Sequence, residues 1–124
     1  MADSRRHQEW FDKAGEEFKA AEILMEHGGD YAVIAFLCQQ TIEKAFKGFI
    51  LKHRETLVEG HSLIFLCRKS AGIDGAFKEF MKDSAYVNQF YLETRYPADA
   101  PMEITKSDAR ECMEIAGAIL KAIV

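Results

Sequence analysis

The sequence predicts an all-α protein, a bundle of about five helices in a mainly up-and-down order. Three observations carry that prediction. Apolar residues recur at steps of three and four through most of the chain, the spacing that lines one face of a helix. Only two prolines, Pro97 and Pro101, occur in 124 residues, and they sit together, so long helices are uninterrupted elsewhere. Short polar or glycine-containing breaks divide the periodic runs. With 48% hydrophobic and 29% charged residues the chain has the composition of a globular protein, and its length suits one domain over residues 1–124.

The first helix is expected from about Arg6 to His27, with Trp10, Ala14, Phe18, Ala21 and Met25 on one stripe and Glu16, Glu17, Lys19 and Glu22 around the rest. Gly28-Gly29 supplies a left-handed stop, and Asp30 is placed to cap the next helix. The second helix, about Tyr31 to His53, carries Ala35, Cys38, Ile42, Ala45 and Phe49 on one face. Gln40, Lys44 and Lys47, with Glu43 alongside, lie on roughly the opposite face, yet Val33, Leu37 and Leu51 project there too. Apolar residues on both sides suit a helix central to the bundle, a subunit interface, or both, and they predict a homodimer.

Residues Arg54 to Gly60 read as a polar loop, followed by a short third helix with Leu63, Leu66 and Cys67 inward and Gly72 at its end. A fourth helix over about Asp74 to Leu92 has Phe77, Phe80, Val87 and Tyr91 at helical spacing. Pro97 disfavours helix at Arg95-Tyr96, and Ala98 to Ile104 reads as loop. The fifth helix starts at Thr105 or Ser107, turns Ala109, Cys112, Ala116, Ile119 and Ile123 inward, and opens on a Thr105/Asp108 pair resembling a capping box.

Several function classes are disfavoured at once. The formal charge of −4 argues against general DNA binding, although the stretch from Lys44 to Lys69 is locally rich in basic residues. Cys38, Cys67 and Cys112 are far apart and fall in apolar patterns, so they read as core residues of a reducing, cytoplasmic compartment. No run approaches a membrane span. The residues three before His7, His27, His53 and His61 are Ser4, Leu24, Ile50 and Val58, so the Glu-x-x-His pattern of a di-iron bundle is missing. No metal and no cofactor is expected.

Three motifs occur in a telling order: Gln39-Gln40-Thr41-Ile42-Glu43-Lys44-Ala45-Phe46-Lys47 on the second helix, His61-Ser62-Leu63 with Leu66 opening the third, and Tyr91-Leu92-Glu93-Thr94-Arg95-Tyr96-Pro97 closing the fourth. With the Trp10-led first helix and its Ala20-Ala21-Glu22-Ile23-Leu24 segment, the chain resembles a HEPN domain from Trp10 to Leu120. The resemblance implies a five-helix up-and-down bundle that commonly dimerises. It also implies association with nucleotides or RNA and work beside a minimal nucleotidyltransferase partner, in some members as toxin–antitoxin-like pairs. Some members of the family are ribonucleases that use an Arg, four to six residues, then a His near the start of a late helix.

Arg54 and His61, with six residues between them, meet that bare spacing. Such matches arise readily by chance, Arg54 lies early in the chain, and no histidine follows His61. Catalysis by Arg54 and His61 is therefore the alternative, beside a ligand-free scaffold, to a non-catalytic binding module. The candidate ligand-binding residues are Arg95, Tyr96, His61, Lys44 and Lys47. An arginine and an aromatic ring on a stiff Arg-Tyr-Pro segment suit phosphate and base, and equally suit capping the fourth helix and packing on the fifth. His61 serves either as a helix-entry residue or as a ligand contact. Lys44 and Lys47 either supply charge to a phosphate or pair with Gln40 and Glu43 on a solvated face. An up-and-down order would bring the ends of the second and fourth helices to one pole, beside His61.

Overall fold

The computed structural model describes residues 4–91 and 103–124. Among them the chain forms an all-α bundle of five α-helices: α1 (Ser4–Glu26), α2 (Tyr31–Arg54), a short α3 (Leu63–Ile73), α4 (Met81–Asn88) and α5 (Lys106–Ile123). Arg95 and Tyr96, together with Pro97, Pro101 and the expected end of the fourth helix at Leu92, lie outside the described residues.

The α1–α2 hairpin is set by the turn chemistry at its apex. Gly28 takes φ +69°, where a side chain would be strained, and the Gly29 N–H closes the helix end on the Leu24 carbonyl at 2.7 Å. Asp30 then accepts from the Ala32 and Val33 amides as the cap of α2. The two helices are antiparallel, since Lys44 reaches Glu17 at 2.7 Å and the Lys47 ammonium sits 5.8 Å above the Trp10 ring. Their close approach depends on Gly48, where an added Cβ would lie 2.6 Å from Phe11 Cε1.

α2 is the hub. It packs against α1, α3, α4 and α5, and Ile34, Cys38, Ile42, Phe46 and Ile50 are buried in the core with Leu63, Leu66, Val87 and Ile119. Each such side chain contributes about 1.5–3 kcal/mol relative to exposure. α5 closes the bundle on a capping box in which Thr105 and Asp108 satisfy each other's backbone amides. Tyr86 ties α4 to it by donating to Asp108 at 3.1 Å. The three cysteines are buried free thiols. Burial pushes all three up, Cys112 to about 12 with help from the neighbouring Asp108 and Glu111 charges.

Four expectations are corrected by the structure. The fourth helix is not continuous from Asp74: Asp74 caps a 3-10 segment (Gly75–Phe80), and α4 begins at Met81. The tighter turn swings Phe77 into the core, edge-on to Phe46 and 4.8 Å from Phe49. Arg54 ends α2 instead of opening the loop. Leu51 is buried inside the chain and Leu37 packs partly on the core, which leaves Val33 as the exposed member of the trio offered for a subunit interface. Lastly, the α2–α3 connection doubles back along α2, so His61 does not lie beside the end of α2. His61 sits beside Gln39 and Glu43, eleven residues or about 16 Å of helix before Arg54. Glu55 starts the reversal in a left-handed conformation, φ 53°.

Candidate functional site

The motif on α2 folds into two ladders because residues four apart lie one above the other on a helix. In the first, Gln39 Nε2 donates to Glu43 Oε1 at 3.3 Å, and Lys47 Nζ donates to Glu43 Oε2 at 3.0 Å. In the second, Lys44 Nζ donates to Gln40 Oε1 at 2.8 Å. A bond from Gln40 Nε2 to Gln39 Oε1 at 2.8 Å joins them. Lys44 also pairs with Glu17 of α1, and Lys47 lies over Trp10.

The pairing expected of Lys44 and Lys47 is therefore present, but the solvated face is not. Glu43 and Lys47 are only 4% and 7% exposed, and Gln39 and Thr41 are fully buried. Thr41 satisfies its hydroxyl on the Leu37 carbonyl. With apolar neighbours on both sides of α2, the polar stripe has helices against it instead of water. Both lysines thereby direct their charge to partners inside the protein.

His61 joins this network from outside. Its Nδ1 meets Glu43 Oε1 at 3.0 Å, and its carbonyl accepts from Gln39 Nε2 at 3.1 Å. Ser62, not His61, caps α3 by accepting from the Phe65 amide. Burial alone would push the Glu43 carboxyl up. Hydrogen bonds from His61 and Lys47, with their charges, more than offset that and hold it below the ordinary carboxylate value. Glu43 is thus an anionic acceptor, and it orients the imidazole by receiving the Nδ1 proton, which leaves Nε2 for another partner.

The His61 ring lies nearly parallel to Tyr91, with centroids 5.4 Å apart and planes at 21°. Both rings line a cavity of about 430 Å³ with Ser62, Asn88 and Gln89. Asn88 holds the start of α3 by accepting from the Leu63 amide. The cavity offers two aromatic faces, amides, a hydroxyl and a half-exposed imidazole. Of the five expected ligand-binding residues, His61 lines it, Lys44 and Lys47 are turned to internal partners, and Arg95 and Tyr96 lie outside the described residues.

A second cavity, about 550 Å³, opens on the other side of the α2–α3 connection. Arg54, Arg68 and Lys69 line it with Ile50, Val58 and Ile73. Arg54 and His61 thus line different cavities. The sequence marked Lys44 to Lys69 as rich in basic residues without naming Arg68 and Lys69 as site residues, because only the reversal of the connection brings α3 back against the end of α2 to gather them with Arg54.

A family model of the HEPN domain matches residues 7–124. The chain belongs to the HEPN domain family. Two solved structures agree. TT1696 from Thermus thermophilus is 27% identical, covers 95% of each chain and superposes with a TM-score of 0.84. ST0689, an archaeal HEPN homologue, is 26% identical over 94% of this chain and 93% of its own, with a TM-score of 0.74. No curated protein matches the chain. Among the described residues of this HEPN domain, no helix is long and apolar enough to cross a membrane.

Proposed function

We propose that this HEPN domain is a non-catalytic module that binds a nucleotide or RNA and serves a minimal nucleotidyltransferase partner. The observation that carries the reading is the His61–Tyr91 pair on the 430 Å³ cavity. A base stacks on such rings, and the Nε2 of His61, oriented by Glu43, hydrogen-bonds its edge. Arg95 and Tyr96 follow Tyr91 by four and five residues, and we assign them phosphate and stacking contacts at the same site. The separation of Arg54 and His61 into different cavities supports binding over joint catalysis.

Anisotropy with a labelled short RNA and calorimetry with a nucleotide panel test the reading. Stacking contributes about 1–3 kcal/mol per base, so Tyr91→Ala and Arg95→Ala should each weaken binding about tenfold or more with unchanged melting. A parent that binds neither probe, or variants that bind as the parent does, would sink it. Loss of intact RNA that depends on His61 would instead promote the ribonuclease reading. For assembly we propose a homodimer through the exposed Ile23 and Val33, 49% and 43% accessible near the α1–α2 turn. Light scattering should give about twice 14.1 kDa, and a monomer at micromolar concentration excludes it.

A further inference from the structure

The larger cavity has a chemistry that the His61–Tyr91 site lacks. Arg54 comes from the last turn of α2, and Arg68 and Lys69 are consecutive on α3. All three are exposed, and no ion pair among the described residues includes any of them. The contrast within the chain is informative: Lys44 and Lys47 are paired, yet these three cations converge on one concavity of a net-acidic protein. Like charges gathered without a counter-charge repel, so the arrangement is relieved by an anion.

Apart from Thr56, whose hydroxyl donates to the Arg54 carbonyl, the rest of the lining is apolar. Ile50 and Val58 face the cavity, and Phe65 stays 41% exposed at its edge with Lys69 Nζ 5.7 Å from its ring centre. A polymer backbone presents charges in a row, whereas these cations surround a single hollow of small-ligand size. One carboxylate would leave most of the positive charge unmet. A diphosphate supplies two to three negative charges within one short group, and two guanidinium forks match its oxygens.

We propose that this cavity is a second ligand site, for a small organic diphosphate or polyphosphate whose remaining moiety is aromatic or aliphatic. Arg54, Arg68 and Lys69 hold the phosphates, and Ile50, Val58 and Phe65 cover the organic part. The site is separate from the His61–Tyr91 cavity and does not depend on the function proposed for it.

Calorimetry of the full chain with phenyl diphosphate, an alkyl diphosphate and inorganic pyrophosphate, none of which carries a nucleobase for the His61–Tyr91 site, tests the assignment, with a thermal melt as the folding control. At least one organic diphosphate should bind tenfold or more tighter than pyrophosphate, and which one does identifies the moiety. Arg68→Ala and Arg54→Ala should each weaken that binding at least tenfold, Arg68→Glu should abolish it, and His61→Ala should leave it unchanged. The proposal is overturned by no binding of either organic probe, by pyrophosphate binding as tightly as both, or by binding indifferent to Arg54 and Arg68. Equal losses from His61→Ala and Arg68→Ala also overturn it, since they would place the ligand in the other cavity. Failure of RNA to bind at His61 leaves this outcome untouched, so the two readings fail separately.

Discussion

Replacing Glu43 with alanine should be among the most damaging single changes outside the apolar core. The side chains of Glu43 and Lys47 are 6% and 8% accessible at an N–O separation of 3.0 Å, so both charges are nearly fully desolvated. Removing the carboxylate strands the Lys47 ammonium against the Trp10 ring and takes the shared acceptor from His61 and Gln39. Breaking a buried pair in this way costs about 3–5 kcal/mol, while the half-exposed His61 arm adds no more than about 1 kcal/mol. The exposed Lys13–Glu16 pair, with both side chains over half accessible, is an internal control worth about 0–0.5 kcal/mol. Urea titration at fixed protein concentration reads the difference: at a slope of about 1–3 kcal/mol/M, the midpoint should fall by roughly 1–5 M. A Glu43→Leu/Lys47→Met double variant should recover most of that loss. The reasoning fails if Glu43→Ala costs under about 1 kcal/mol, as a solvated pair would.

The same carboxylate has an acid signature. Its folded pKa lies below its unfolded value, so its contribution is present in full above about pH 4.5 and drains away as pH falls through the folded value. The stability gap between the parent and Glu43→Gln should narrow as pH drops below about 4.5, and a constant gap in denaturant titrations from pH 7 to 3 would contradict it. Gly48→Ala forces a Cβ against Phe11; the overpacking penalty of about 1–3 kcal/mol exceeds the helix-propensity gain of about 1 kcal/mol, so the melting temperature should drop. Glu55→Gly relieves a left-handed non-glycine residue and should stabilise by about 0.5–1 kcal/mol, and a lower melting temperature would refute that. Cys38, Cys67 and Cys112 should resist a thiol reagent at pH 8 in the native protein and react together in denaturant; fast native labelling of any of them would contradict their burial.

Much of the fold was legible because its signals are local. Helical spacing, the Gly28-Gly29-Asp30 break and the Thr105/Asp108 capping box each depend on residues within one turn of each other. The misreadings came where tertiary contact overrides a local rule. Glu43 and Lys47 looked solvated because charged residues four apart normally face water. Val33, Leu37 and Leu51 on the same side were the sign that little of α2 was left for solvent. Asp74 to Leu92 read as one helix because Phe77 and Phe80 keep helical spacing through a 3-10 turn that is defined by how Phe77 meets Phe46 and Phe49. His61 was legible as a candidate, and its partner Glu43 lay in the same group of motifs. Their contact was hidden by the reversal of the connection, which no local pattern encodes.

That central, charge-bearing α2 also bears on the order in which the chain acquires its structure. Lys47 finds Glu43 on its own helix, and both ladders close without any distant segment. The α1–α2 hairpin therefore leaves synthesis with its most awkward charges already neutralised, before α5 exists. The seal at the far side is different in kind: Cys38 waits for Met113, 75 residues later. Chain closure over that span makes the docking of α5 the slow, topologically demanding event. Until it happens, the apolar face around Cys38 and Ile42 stands open, and that interval is when the chain is most exposed to misassociation.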